Sequence, residues 1–209
     1  MLNIPAAFRR ADESPDELFY QTPRLVTHID DDAIAAVTQL YREYFPAGGA
    51  ILDLMSSWIS HLPPEIDYRE VVGLGMNAPE LAANPRLTEF RVQNLNIEPK
   101  LPYETGRFDG AAICVSIDYL TDPEAVLREA ARVLKLGAPM VVTFSNRCFP
   151  TKAVAAWHAL DEPGRVRWVV ERFECAGGWG EIDAFDRSPA NARGRRTGDP
   201  LYAVVARRL

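Results

Sequence analysis

Strand-like and helix-like stretches alternate along this chain, and that alternation restricts its fold more than any other feature. The runs "AILDLM" (50–55), "EVVGLG" (70–75), "LTEFRVQNL" (87–95), "FDGAAICVSI" (108–117) and "PMVVTFSN" (139–146) read as five strands. Most show the continuous apolar usage of strands buried on both faces. Between them, "APELAAN" (78–84) reads as a helix and "TDPEAVLREAARVLKLGAP" (121–139) as a stronger one. Asp122 can cap the stronger helix, Pro123 suits its first position, and Val126, Leu127, Ala130, Val133 and Leu134 form its apolar stripe. Gly137 sits where it should stop. Upstream, the acids at 30–32 open a helix with Ile34, Val37, Leu40, Tyr41 and Tyr44 on one face, and Pro46, Gly48 and Gly49 close it. Downstream, helical stretches are expected near 153–160 and 166–172, and "FECAGGW" (173–179) and "LYAVVARRL" (201–209) suit a final pair of strands. Such alternation specifies an α/β fold, a parallel sheet with helices on both faces. Ligands of such sheets sit beyond the carboxyl ends of the strands, here 53–58, 75–77, 93–96, 116–119 and 145–148.

The chain divides into an arm or lid over residues 1–29, polar with aromatic points at Phe8, Phe19 and Tyr20, and one domain over 30–209. Its 209 residues suffice for one sizeable core. A net charge of -6 argues against extended contact with a nucleic-acid backbone. Cys114, Cys148 and Cys175 lack the spacing of a disulfide framework or zinc site, and His28, His61 and His158 lie far apart in sequence, so no metal is expected. "MLNIPAAFRRADESPDELF" (1–19) has no apolar core of the kind a signal peptide needs, and no run approaches the roughly 20 residues of a membrane span. These features predict a soluble, cytoplasmic protein with no membrane contact. They leave its oligomeric state open.

Two motifs compete for the nucleotide-binding role. "GLGMNA" (73–78) fits G-x-G-x-x-A between a strand and a helix. A dinucleotide site also wants an acid about 20 positions later, where Gln93, Asn94 and Asn96 stand instead. A strand also precedes the unit, whose first strand should carry that fingerprint. The other reading uses the whole order of phrases. "AILDLMSSW", "VVGLGMN", "LPYETGRFD" (101–109) and "REAARVLKLGAP" (128–139) fall in sequence within roughly 34–146. Together they resemble the class I S-adenosylmethionine-dependent methyltransferases, especially the type 11 group, with a degenerate first motif. The resemblance implies a Rossmann-like sheet of seven strands, mostly parallel with an antiparallel last strand, and S-adenosylmethionine as cofactor.

Departures from the family pattern fall on its site. Glycines of the first turn become Met55, Ser57 and Ile59, and Met55 and Ile59 are expected to avoid positive φ. Gly75 replaces the acid that holds the ribose, with Asn77 nearby, and Asn94 replaces the aspartate facing adenine; Asp53 remains. The resemblance then implies a cofactor met by Asp53, Ser56, Ser57, Trp58, Gly75, Met76, Asn77, Asn94, Leu95 and Ser116. In the family the chain before the first helix often covers the cofactor, so Arg24 or His28 of "FYQTPRLVTHID" (19–30) could meet its carboxylate. Neutral hydrogen bonds from serine or asparagine contribute about 0.5–1.5 kcal/mol each, so such exchanges weaken binding without abolishing it. Tyr20, Asn146 and Arg147 are the expected substrate contacts. Methyl transfer needs alignment and exclusion of water more than a dedicated side chain, and Asp118 and Tyr119 are the nearest candidates for deprotonating or orienting a substrate.

Each residue also has an ordinary use. Asp53 could cap its turn, Trp58 could be a core or lid aromatic, Tyr119 could pack under a helix, and Asp118 could be solvated. His61 is expected in a surface loop, Cys148 as a buried structural thiol, Arg24 equally in a surface ion pair, and Arg193, Arg195 and Arg196 in a solvated loop. Function is therefore expected as S-adenosylmethionine-dependent methyl transfer to a small molecule, with a non-catalytic sensing or interaction module on the same fold as the alternative.

Overall fold

A computed structural model describes residues 5–209. After a 3₁₀ turn at Ala6–Phe8 come α1 (Asp16–Phe19), α2 (Asp31–Tyr44), β1 (Ala50–Leu54), β2 (Glu70–Gly75), α3 (Ala78–Ala83), β3 (Glu89–Val92) and β4 (Gly110–Cys114). A 3₁₀ turn at Ile117–Tyr119 leads to α4 (Pro123–Val133), β5 (Pro139–Phe144), α5 (Ala155–Ala159), α6 (Glu162–Ala176), β6 (Trp179–Asp186) and β7 (Tyr202–Arg208). The sheet has seven strands in the order β3-β2-β1-β4-β5-β7-β6. β1 pairs parallel with β2 and β4, while β7 runs antiparallel to β5 and β6. That is the arrangement the resemblance implies.

Strand periodicity distributes the core to two faces. Leu52 and Leu54 of β1, Ile113 of β4 and Val142 of β5 pack with Val126 and Leu127 of α4 and Phe173 of α6. Ile51, Ala112 and Val141 point the other way, onto Ala33, Val37 and Leu40 of α2. Each such fully buried Leu, Ile or Val contributes roughly 1.5–3 kcal/mol. Asp30 and Asp122 cap α2 and α4, accepting from Ala33 N at 2.9 Å and Ala125 N at 3.0 Å.

One local expectation changes. Residues 173–176 are the last turn of α6 rather than a strand, because Val169, Phe173 and Ala176 continue its buried stripe. Gly177 and Gly178, at φ 70° and 81°, end the helix, and the strand starts at Trp179. Between β1 and β2, residues 55–69 hold no helix. Pro63 and Pro64 remove two backbone donors from that crossover.

The arm crosses the carboxyl ends of the strands and is pinned at its start. Asp12 N donates to Thr151 O and Ala155 N to Arg9 O, each at 2.8 Å. Lys152 is fully buried and donates to Ser14 O at 2.8 Å, with Asp16 Oδ1 at 3.1 Å and Asp12 Oδ2 at 3.2 Å. Arg10 Nη1 donates to the same Asp16 oxygen at 2.7 Å. Among the described residues no helix is long and apolar enough to cross a membrane.

Candidate functional site

Beneath the arm, a cavity of about 290 Å³ lies beyond the ends of β1, β2 and β4. The strand order reverses between β1 and β4, the place where open α/β sheets bind ligands. The arm contributes Arg10, Asp16, Tyr20, Arg24 and residues 26–29 to its wall, and the loop after β5 contributes 147–149.

The turn after β1 starts at Asp53, whose Oδ2 accepts from Ser56 Oγ at 2.6 Å and Ser60 Oγ at 2.7 Å. Burial pushes the Asp53 carboxyl up to about 6 against the pull of both hydroxyls. Met55 then takes φ 57°, which overturns the expectation that it would avoid the left-handed region, whereas Ile59 does avoid it. A non-glycine residue there costs roughly 1–2 kcal/mol. His61 at φ 51° and Val115 at φ 43° also line the cavity. Three strained positions around one cavity is the pattern of a site whose shape is imposed by its surroundings.

This turn explains the missing acid. Ser56 N donates to Leu74 O at 2.8 Å, extending the β1–β2 pairing by one bond. A Cβ on Gly75 would collide with the Ser56 carbonyl oxygen. Backbone therefore fills the space in which an acidic side chain would begin, and Gly75 does not border the cavity. Asn77 borders it but is committed elsewhere. Its Oδ1 accepts from Glu80 N at 3.0 Å, and its Nδ2 donates to Tyr20 O at 2.8 Å and Gln21 O at 3.2 Å. Ser57 Oγ donates to Glu80 Oε2 at 2.6 Å, and Trp58 Nε1 to Val26 O at 3.0 Å, so Trp58 fastens the arm. Asn94 Nδ2 reaches Glu17 Oε1 at 2.8 Å. Met76 and Leu95 complete this side of the wall.

On the opposite side, Arg24 is folded inward rather than paired at the surface. Its guanidinium carbon lies 4.6 Å from the Phe19 ring centre and 5.3 Å from that of Phe149. Nη2 donates to Phe19 O at 2.9 Å, while Nη1 is buried with no partner. Ser116 Oγ, at the end of β4, is likewise buried and unpartnered. His28 packs edge-on against Phe149, and burial lowers its pKa.

The expected catalytic and substrate residues separate. Tyr119 and Tyr20 reach the wall. Tyr119 Oη accepts from Phe149 N at 2.8 Å, and burial raises its pKa far above the ordinary phenol range. Tyr119 can orient a ligand but cannot deprotonate one. Asp118 is not solvated: it is 2% exposed, does not border the cavity and has an unpartnered Oδ2. Burial pushes it up to about 8. Arg147 stands at the mouth, bonded to Asp199 Oδ1 at 2.8 Å, and exposed Asn146 is outside the wall.

Sequence reasoning missed Glu80, Arg10, Asp16, Asn96 and Phe149, and it misplaced His61. His61 is a half-buried wall residue that burial pushes down to about 4, so its ring is neutral. Glu80 had a signal: Asn77-x-x-Glu80 has the spacing of a capping box. Among the described residues no group of three His, Cys, Asp or Glu could hold a metal ion.

Residues 56–142 match the family model described as "Methyltransferase domain". No curated protein matches the chain in sequence. Among solved structures, a chain of the complex between the Haloferax volcanii Trm112 methyltransferase activator and its methyltransferase superposes with a TM-score of 0.61 at 15% identity, covering 85% of this chain and 91% of that one. The [4+2]-cyclase SpnF gives 0.59 at 18% identity, covering 82% and 79%. An S-adenosylmethionine-dependent methyltransferase from Mesorhizobium loti gives 0.58 at 17% identity, covering 83% and 98%. At these identities the likeness is one of fold. Residues 56–142 thus match a methyltransferase domain model, and the sheet order is that of the class I S-adenosylmethionine-dependent methyltransferase fold.

Proposed function

We propose that the cavity binds S-adenosylmethionine and that the protein transfers a methyl group to a small molecule held beneath the arm. Arg24 carries the reading. A guanidinium nitrogen buried without a partner costs stability unless an acceptor meets it, and Nη1 is such a group on a residue that borders the cavity. A ligand carboxylate fits it, and Ser116 Oγ is a second buried, unpartnered polar atom on a residue that borders the cavity. When bound, S-adenosylmethionine supplies an electrophilic methyl group on a sulfonium centre.

The chain's own work is positioning and exclusion of water. Trp58 and Asn77 hold the arm down over the cavity. Asp53, ionised above about pH 6, places negative charge at the end of β1. Tyr119 and Tyr20 offer aromatic walls and hydroxyls for orienting an acceptor, with Arg147 at the mouth. No group on this wall is required as a base, so an acceptor whose attacking atom is already unprotonated suits the site best.

Calorimetric titration of the wild-type protein and Arg24→Ala with S-adenosylmethionine and S-adenosylhomocysteine tests the reading. A hydrogen bond to a charged group contributes about 1.5–3 kcal/mol, so the variant should bind at least about tenfold more weakly. Equal affinity would remove Arg24 from the site.

Gly75 favours a second reading, a non-catalytic member that binds or senses the cofactor. The space of the ribose-holding acid is filled by Ser56, and the cyclase on this fold illustrates that fold alone does not set chemistry. Binding without methyl transfer to any member of a broad panel of small-molecule acceptors would favour it.

A further inference from the structure

We infer that Glu80, from α3, supplies the carboxylate that receives the ribose hydroxyls, in place of the acid that β2 cannot carry. The inference rests on the proposal that the cavity binds S-adenosylmethionine. A ribose diol presents two O–H donors, and an ionised carboxylate is an acceptor-only partner suited to them.

Three acids border the cavity: Asp16, Asp53 and Glu80. Asp16 is enclosed by Arg10, Lys152 and Asn96. Asp53 stands at the end of β1, with Oδ2 already receiving two serine hydroxyls. Glu80 lies beyond β2, the side from which a ribose acid would come. Its Oε1 accepts from Arg24 N and its Oε2 from Ser57 Oγ, each at 2.6 Å. A carboxylate offers about four acceptor positions, so each oxygen keeps one. The Asn77 cap on Glu80 N and these two donors fix the carboxylate in place without help from a ligand.

The position also agrees with the Arg24 role. Arg24 touches Glu80 through its backbone nitrogen, while its guanidinium lies against Phe149 beyond β5. One arm residue thus reaches from the acid to the free donor, spanning the site from its ribose side to its carboxylate side. The turn that excludes an acid at Gly75 also supplies Ser57 to hold Glu80, so the two departures from the family pattern form one rearrangement.

The full chain is titrated calorimetrically with S-adenosylhomocysteine and with its 2′-deoxyribose analogue, as wild type, Glu80→Gln and Glu80→Asp. Wild type should prefer the ribose form by at least about tenfold, the worth of one hydrogen bond to a charged group. In Glu80→Gln that ratio should fall toward one. A purely structural role would weaken both ligands equally and leave the ratio unchanged. Should Glu80→Gln fail to fold, Glu80→Asp reads the same ratio, which should fall because its carboxylate is one methylene shorter. An undiminished ratio in the folded variant, or equal binding of both ligands by wild type, overturns the assignment while leaving cofactor binding standing. No binding of either ligand by wild type overturns the assignment and the proposed function together.

Discussion

Met55 and Gly75 show how a turn is held together after losing its glycines. Met55 enters the left-handed region itself, and the chain beyond it crosses in front of β2. The sequence showed the substitutions but not this outcome, because steric preference at one residue is overridden when Asp53, Ser56 and Ser60 hold the turn together. Gly75→Ala should lose about 1–3 kcal/mol in urea denaturation, since its Cβ would meet the Ser56 carbonyl. Gly75→Asp should be at least as unstable and should not tighten ligand binding. A stable Gly75→Asp protein would mean that the turn runs elsewhere. Asp118 yields a pH prediction. Its folded pKa of about 8 stands above its ordinary 3.8, so folding favours the proton-bound form. The carboxyl is neutral in both states at low pH, and its opposition to folding grows as pH rises from 3.8 to about 8. Asp118→Asn should therefore gain stability over wild type as pH rises through that window, measured by denaturation at pH 5 and pH 8.5. A gap that stays constant would contradict the buried placement.

Among the elements, the arm carries the clearest division between what sequence could and could not show. The weak periodicity ahead of the Asp30 cap was legible. The arm's anchor was not, because Lys152 sits in a loop and nothing local marks a lysine as fully buried. Lys152 and Arg10 flank Asp16 at the closed end of the arm, while residues 17–28 run mostly exposed across the cavity. Lys152→Met removes one of the two cations on buried Asp16, and losing part of a buried ionic network costs up to about 3 kcal/mol. The variant should unfold earlier in denaturant, and protease should cut its 17–28 segment faster than in wild type. Unchanged cleavage would mean that the anchor does not hold the arm. The end of α6 was misread for a related reason: tertiary burial of Phe173 and Ala176 decides for helix, and nothing local marks it.

For the whole molecule, alternating strand and helix signals predicted the architecture well, since buried parallel strands and capped helices leave local marks. Helix caps at Asp30 and Asp122 followed from those marks, and the antiparallel β7 from the family resemblance. The strand ends also located the cavity, with Asp53, Ser56, Ser57, Asn94 and Ser116 on one wall system. Sequence could not show which polar groups remain free, because Asn77 and Ser57 are occupied by partners distant along the chain. We propose this cavity, closed by the arm, as a cofactor site. A crystal structure of the wild-type chain grown with saturating S-adenosylhomocysteine tests it most directly. Ligand density is expected between the ends of β1, β2 and β4 and the arm, with a carboxylate on Arg24 Nη1. Density elsewhere, or an unliganded cavity at saturation, would contradict it.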